Sequence, residues 1–190
     1  MRLILASASP QRHRLLRRLR RPFLIIPAEV SERCAEHAPR RLVVKLALRK
    51  ARAVAREHPD ALVLGADTVV AHRGAVIVKP RSRADSSRIL NTLNGKVHRV
   101  YTGVALVDGA SGKSWTAAAV SKVKARRLPP AELERFIGKH MDKAGAYAVQ
   151  DRRDPFIERI EGPRDNVIGL PLECVRQLLR RAATQTRPGR

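Results

Sequence analysis

The 190-residue chain contains few aromatic residues and few cysteines. Its three Phe, two Tyr and one Trp are too few to form a series of rings on which nucleic-acid bases stack. The two cysteines, Cys34 and Cys174, are far apart and form no CxxC pair, so the sequence predicts reduced thiols rather than a disulfide or a zinc site. The six histidines show no HxH or HxxxH spacing, which argues against a histidine-based metal site.

Long apolar runs are missing as well. No run approaches the roughly 20 residues that cross a bilayer. Residues 1–8 lead directly into a charged segment, which is not the pattern of a secretory signal. We therefore expect a cytoplasmic protein with no membrane partner.

Acidic residues are scarce, because 17 Asp and Glu stand against 39 Lys and Arg, and the net charge is +22. Such a charge attracts nucleic acid non-specifically, without reading its sequence. The same charge is also typical of an Arg-rich composition spread over solvated faces, and it suits an anionic small substrate. The composition leaves these three interpretations open.

The chain is long and apolar enough to fold around a core. Hydrophobic residues make up 44% of it, too many for a disordered protein. Strand and helix patterns alternate early and hairpins dominate the middle, which predicts an α/β fold with a mixed sheet, flanking helices and two lobes around a cleft. We expect residues 1–182 to form a single domain and residues 183–190 to be a disordered tail.

One carboxylate, Asp67, interrupts the apolar run of residues 62–70. Strand-forming residues on both sides predict two strands, Ala61–Leu64 and Val69–Ala71, with Asp67 at a strand end between them. A carboxylate buried there costs free energy unless it meets a cation, a hydrogen-bond donor or a reacting water. Asp67 is therefore the centre of the candidate site. The alternative is a strand-end Asp that caps a turn.

The junction between the first predicted strand and the first predicted helix is a second candidate. Ser9 is a good N-cap and Pro10 suits the first helical position, so free backbone N–H groups and the positive end of a helix dipole lie here. Together with Ser7 and Arg12, these groups would form a phosphate cradle. The alternative is an ordinary Ser-Pro helix start with an arginine on the surface.

Three further charged residues are candidates for ligand binding. Lys50 interrupts the apolar stripe of a predicted long helix, and Lys79 ends the hairpin that follows the carboxylate. Glu32, after the second predicted strand, is a candidate oxygen ligand for a hard cation such as Mg²⁺. The alternative for each is a solvated charge.

The stretch of residues 142–150 is rich in Ala and Gly. Small side chains permit close approach of the backbone to a ligand, and the amide of Gln150 could read the edge of a base.

Taken together and in chain order, these segments resemble the Maf family of nucleoside triphosphate pyrophosphatases. The ordered set spans Leu5 to Leu172, nearly the whole chain, and is far more specific than any one member. The segments that carry the resemblance are Leu5-Ala6-Ser7-Ala8-Ser9-Pro10-x-Arg12, Lys50-Ala51, Gly65-Ala66-Asp67-Thr68-Val69-Val70, Lys79-Pro80, Leu93-Asn94-Gly95-x-x-His98-x-Val100-x-Thr102-Gly103-Val104, Asp142-Lys143-Ala144-Gly145-Ala146-Tyr147-x-x-Gln150 and Asn166-Val167-x-Gly169-Leu170-Pro171-Leu172.

The resemblance implies an elongated mixed sheet similar to that of the inosine-triphosphate pyrophosphatases, and often a homodimer. It implies hydrolysis of a nucleoside triphosphate to the monophosphate and pyrophosphate, with Mg²⁺ or Mn²⁺ as cofactor. In this reading Asp67 accepts the proton of the attacking water and, with Glu32, holds the metal. The residues that hold the triphosphate are then Ser7, Ser9, Arg12, Lys50 and Lys79.

Three positions bear on the choice of base. Thr68 and Gln150 resemble the branch of the family that acts on dTTP and UTP, whereas Gln11 stands where that branch normally has Arg. We therefore expect dTTP, UTP or related nucleotides, including modified ones, as substrates. The alternative function is a basic nucleic-acid-binding or cell-division regulatory protein on the same fold, with weak or no catalysis.

Overall fold

In a computed structural model, residues 1–149 and 156–185 are described. Seven strands of these residues form one mixed sheet in the order β2-β1-β3-β5-β6-β7, and β4 pairs with β3. The pairs β1–β2 and β1–β3 are parallel and the other pairs are antiparallel. The strands are β1 (Arg2–Leu5), β2 (Leu24–Ile25), β3 (Ala61–His72), β4 (Ala75–Ile77), β5 (Val97–Asp108), β6 (Ser114–Ala125) and β7 (Ile157–Glu161).

Helices flank both faces of this sheet. A short 3₁₀ turn, Ala144–Ala146, also lies in the described part of the chain. The helices are α1 (Pro10–Arg17), α2 (Pro39–Ala55), α3 (Arg83–Leu93), α4 (Pro130–Glu134), α5 (Arg164–Ile168) and α6 (Leu172–Gln185).

The side chains of β3 alternate between two apolar layers, because successive residues of a strand point to opposite faces. Leu64 and Ala66 pack in the layer that contains residues of α1 and α6. Val63 packs in the layer that contains residues of α2. A further core, which includes Val70 and Phe156, lies beyond these layers toward the other end of the sheet.

Two glycines bring α2 unusually close to the sheet. A Cβ atom on Gly65 would lie 2.2 Å from the backbone oxygen of Ala47, and one on Gly103 would lie 2.4 Å from the backbone carbon of Val43. Neither position can therefore carry a side chain without moving the helix. The two glycines set the depth at which every inward-facing residue of α2 meets β3.

The predicted mixed sheet with flanking helices is confirmed, but the prediction of two strands around Asp67 is wrong. β3 is continuous, because β5 pairs with it without interruption from Leu62 to Ala71. Asp67 thus lies within a twelve-residue strand rather than at the end of a short one.

The C-terminal boundary also differs from the expectation. Helix α6 continues to Gln185, so residues 183–185, which we predicted as part of a disordered tail, are helical. Residues 186–190 of that tail lie outside the described residues. No helix in the two described ranges combines the length and the apolar character that crossing a membrane would require.

Candidate active site

A cleft of about 1030 Å³ reaches the sheet at the middle of β3. On its outer edge β3 pairs with β1 as far as Leu64, and with β4 from Val70 onward. Between these two points no strand of the described residues covers that edge. This gap leaves the strand edge open beside Asp67 and Thr68, which are consecutive residues and so face opposite sides of the sheet.

On the α2 side of β3, one ammonium group bridges two carboxylates. Lys50 Nζ lies 2.6 Å from Asp67 Oδ1 and 2.6 Å from Glu32 Oε1. The Lys50 and Asp67 side chains are 11% and 8% exposed, whereas that of Glu32 is 48% exposed. The buried carboxylate therefore has the cation it needs, and the exposed one extends the cluster toward solvent.

The pKa values of the two carboxyl groups shift in opposite directions. Burial raises the pKa of Asp67 above its ordinary value of 3.8, although the charges of Lys50 and Arg12 act against this rise. Burial also acts to raise the pKa of Glu32, but the hydrogen bond and the charge of Lys50, together with the charges of Lys79 and Arg12, outweigh it and the pKa falls below 4.5. A carboxylate with a raised pKa is the better proton acceptor of the two.

Other predicted residues line the same cleft at its mouth. Lys79 Nζ lies 3.8 Å from Glu32 Oε1, a distance at which the two charges attract without a tight hydrogen bond. Ser9 Oγ donates to Gln11 Oε1 at 3.0 Å. This hydroxyl also accepts from the backbone N–H of Arg12 at 3.5 Å, so the predicted N-cap is present but long.

On the opposite side of β3, three acceptors hold the Arg12 guanidinium. Its Nη1 donates to Ser7 Oγ at 3.2 Å, its Nη2 donates to Thr68 Oγ1 at 3.2 Å, and its Nε donates to the backbone oxygen of Gly169 at 2.9 Å. Burial lowers the pKa of Arg12, and the charge of Asp67 opposes this. The guanidinium stays charged, because the ordinary pKa of arginine is far above neutral pH.

The donor set fits one divalent cation that a ligand helps to coordinate. The oxygens of Glu32 and Asp67 bind the same nitrogen at 2.6 Å, so they are close enough to share a small cation after a modest side-chain movement. The described residues contain no cluster of three or more His, Cys, Asp or Glu side chains suited to a metal. The remaining ligands would be water and phosphate oxygens, as is usual for Mg²⁺.

The structure brings nearly all of the predicted site residues to one place. Gln150 is the exception, because it lies outside the described residues. The predicted residues that line the cleft are Ser7, Ser9, Gln11, Arg12, Glu32, Lys50, Asp67, Thr68 and Lys79.

Three residues that support the site had no predicted role. Thr102 and Asn166 extend the hydrogen bonds of Thr68 into the core, and Gly169 supplies the carbonyl that holds Arg12. All three fall in segments that carry the family resemblance, but only the register of β3 with β5 places Thr102 opposite Thr68. That register is a non-local property, so the local pattern around Thr102 gave no signal of its role.

Comparison with known proteins shows the family and the fold that this chain resembles. The family described as Maf-like protein matches residues 2–182. The dTTP/UTP pyrophosphatase of Elusimicrobium minutum is 49% identical over 95% of this chain and 98% of its own length. The dTTP/UTP pyrophosphatase of Moorella thermoacetica is 47% identical over 93% of each chain. The solved structure of the Staphylococcus aureus Ham1 protein is 12% identical, covers 96% of this chain and 100% of its own, and shares the fold with a TM-score of 0.56.

Proposed function

The chain belongs to the Maf-like protein family, and we propose that it is a nucleoside triphosphate pyrophosphatase that converts dTTP, UTP or related nucleotides to the monophosphate and pyrophosphate. The single observation that carries this proposal is the Lys50 ammonium held between Asp67 and Glu32 at the gap in β3. It places a buried carboxylate, an exposed carboxylate and a cation around the same point. The relatives named dTTP/UTP pyrophosphatase support the substrate class.

The reaction requires a water to attack the α-phosphorus. The water oxygen stays on the monophosphate, and the bond from the α-phosphorus to the oxygen that bridges to the β-phosphorus breaks. The electron pair of that bond leaves with pyrophosphate. Asp67 accepts the proton of the water, and the rise of its pKa on burial makes the carboxylate a better proton acceptor than an ordinary Asp.

Glu32 and Asp67 would hold the divalent cation, which we propose to be Mg²⁺ or Mn²⁺. When bound, such an ion neutralises phosphate charge and makes a nearby water more acidic. The half-exposed Glu32 side chain reaches the mouth of the cleft, where the nucleotide would arrive.

Cationic and hydroxyl groups around the carboxylates would hold the triphosphate. Arg12 lies on one side of β3 and Lys50 on the other, so a chain of phosphates at the gap would meet positive charge from both sides. Lys79 adds a more exposed charge at the mouth. The helix start at Ser7 and Ser9 adds hydroxyls and backbone N–H groups.

The choice of base would depend on residues 11, 68 and 150. Gln11 lines the cleft, and its carbonyl oxygen already accepts a hydrogen bond from Ser9, which leaves the amide N–H groups for a ligand. An amide offers hydrogen bonds without the charge of the Arg that the dTTP/UTP branch normally has here. We therefore include modified pyrimidine nucleotides among the proposed substrates.

A panel of nucleoside triphosphates with Mg²⁺ or Mn²⁺ tests the function directly. The products should be the monophosphate and pyrophosphate, with dTTP or UTP or a modified pyrimidine nucleotide hydrolysed fastest. Reaction in water enriched in ¹⁸O should place the label in the monophosphate. Release of orthophosphate and a nucleoside diphosphate would refute the proposed bond cleavage.

The predicted homodimer, the cytoplasmic location and non-specific contact with nucleic acid stay predictions. A nucleotide substrate is compatible with each of them, and sedimentation of the purified protein would test the first.

A further inference from the structure

A chain of hydrogen bonds runs from the Arg12 guanidinium into the core of the protein. Arg12 Nη2 lies 3.2 Å from Thr68 Oγ1, which lies 3.0 Å from Thr102 Oγ1. Thr102 Oγ1 in turn donates to the backbone oxygen of Asn166 at 2.9 Å. Thr102 and Asn166 are completely buried, whereas Thr68 is half-buried at the cleft.

The two ends of this chain fix its direction. A carbonyl oxygen can only accept, so the single hydroxyl hydrogen of Thr102 points to Asn166. Thr68 must then donate to Thr102, and its oxygen is left to accept from the guanidinium, which can only donate. Each hydroxyl therefore has one orientation, and the orientation that suits Arg12 exists because Thr102 already has an acceptor.

The far end of the chain is firmly held. The Asn166 amide nitrogen donates to the backbone oxygen of Val100 at 3.0 Å and to Ser121 Oγ at 2.9 Å. Ser121 Oγ donates to the backbone oxygen of Pro163 at 2.8 Å, just before α5. The same helix ends at Gly169, whose carbonyl holds Arg12 Nε. Thus α5 contacts Arg12 through its C-cap residue Gly169, and it is linked to Arg12 a second time through Asn166, Thr102 and Thr68.

We propose that Thr102 is a positioning residue that fixes the Arg12 guanidinium for the phosphate chain of the nucleotide, by directing the hydroxyl of Thr68. The inference rests on the proposed function, because it assumes that Arg12 binds phosphate. Within the described residues, three of the five guanidinium N–H groups have protein acceptors. Those acceptors set the direction in which the other two N–H groups point toward a ligand.

Substitution of Thr102 by Val tests the inference, since Val keeps the shape of the side chain and removes the hydroxyl. Thr68 then loses its acceptor and can turn its hydrogen toward Arg12, where two donors would oppose each other. We expect KM to rise about fivefold to tenfold, as for the loss of one hydrogen bond to a charged group, with kcat within twofold. Thr102→Ser, which restores the hydroxyl, should restore KM. Thr116→Val on β6 is the matched control and should leave KM unchanged.

A binding measurement separates this role from a purely structural one. Calorimetry with inorganic tripolyphosphate should show affinity reduced by the same factor in Thr102→Val, with an unchanged number of sites. A purely structural role would lower the melting temperature or the number of sites and leave the affinity of the folded fraction unchanged. That result, or an unchanged KM in a folded Thr102→Val variant, would overturn the inference.

A double-mutant cycle tests whether the effect passes through Arg12. In an Arg12→Lys background, Thr102→Val should weaken tripolyphosphate binding no further, because lysine cannot make the same forked contacts. Equal weakening in both backgrounds would refute transmission through Arg12. If Thr102→Val does not fold, Thr68→Val breaks the same chain at a half-buried position and should give the same loss.

Failure of the proposed function can be told apart from failure of this inference about Thr102. In that case the wild-type protein would release no pyrophosphate from any nucleotide of the panel. The comparison of tripolyphosphate affinity between wild type and Thr102→Val would still decide the role of Thr102.

Discussion

The two sides of β3 at residues 67 and 68 differ in the kind of interaction that each side chain makes. On the α2 side, Asp67 belongs to a charged cluster of two carboxylates and one ammonium, part of which is open to solvent. On the other side, Thr68 belongs to a chain that starts at a cation and continues through neutral hydroxyls to a buried carbonyl.

This difference indicates how the work is divided. The charged cluster has partners that can be exchanged, since Lys50 can give up a carboxylate when a cation or a phosphate arrives. The hydrogen-bond chain from Thr68 to Asn166 has fixed donor directions and little exposure, so it is suited to hold the Arg12 guanidinium in one orientation. From the first side we expect the chemistry, the pH dependence and, through Lys50, part of the affinity for phosphate. From the second we expect the rest of the affinity and the orientation of the phosphates.

The largest effect should come from removal of the proposed proton acceptor. Asp67→Asn keeps the size of the side chain and should lower kcat by about a thousandfold, as is typical for the loss of a general base. Pyrophosphate release measures it, and binding of tripolyphosphate should change far less. A variant with near-normal kcat would assign the proton transfer to another group and remove the proposed division between the two sides.

Removal of the bridging cation should have the next largest effect. Lys50→Met leaves Asp67 buried without its ion partner, which costs about 3–5 kcal/mol of unfolding free energy. Denaturant unfolding measures the loss. Lys45→Met, at an exposed position on the same helix, is the control and should change stability by less than about 0.5 kcal/mol. Equal stability of the two variants would show that Asp67 does not need this cation.

A substitution that moves α2 should disturb the charged side more than the neutral one. Gly65→Ala places a methyl group against the backbone of α2 and should cost about 3 kcal/mol, at the upper end for overpacking. Lys50 should move with its helix, so kcat should fall. Tripolyphosphate affinity should fall only by the share that Lys50 supplies, because Arg12 keeps its acceptors.

Gly112→Ala is the control for this substitution, because only a positive φ of 69° opposes it and no atom lies within 4 Å of the new methyl group. It should cost about 1 kcal/mol and leave kcat unchanged. Similar stability losses in the two variants would show that α2 tolerates a side chain at residue 65.

The smallest effect concerns the pH dependence of stability. Burial raises the pKa of Asp67 in the folded state above the value of 3.8 that we take for the unfolded state. Folding therefore takes up a proton at a pH between 3.8 and the raised value. The stability contributed by the protonated form is complete below pH 3.8 and is lost as the pH rises through the raised value. Without added metal, the unfolding free energy of Asp67→Asn minus that of wild type should therefore increase with pH over this interval. A difference that decreases would mean that Lys50 lowers the pKa more than burial raises it.

The sequence predicted the residues of the site better than the way in which the fold presents them. Asp67 was predictable because an isolated carboxylate in an apolar run has few structural uses, and Lys50 because it interrupts an apolar helix face. The continuity of β3 was not predictable from Gly65 and Ala66, which locally favour a break. Pairing with β5 overrides that preference, and such pairing depends on residues 40 positions away.

The family resemblance supplied the roles that no local pattern could. It groups Arg12, Lys50 and Asp67 into one site, and the structure places them around one gap. It gave no role to Thr102, because that role depends on which residue lies opposite it across two strands.

The gap between β1 and β4 has a consequence for the motion of the protein. Strand β3 is clamped on both edges near Leu64 and Val70, but between these points it is paired only with β5. The backbone N–H groups that face the gap should therefore exchange with solvent faster than the other amides of this strand. A bound nucleotide would protect these amides, so isotope exchange at the gap-facing N–H groups of residues 65–69 could report occupancy of the cleft without any measurement of turnover.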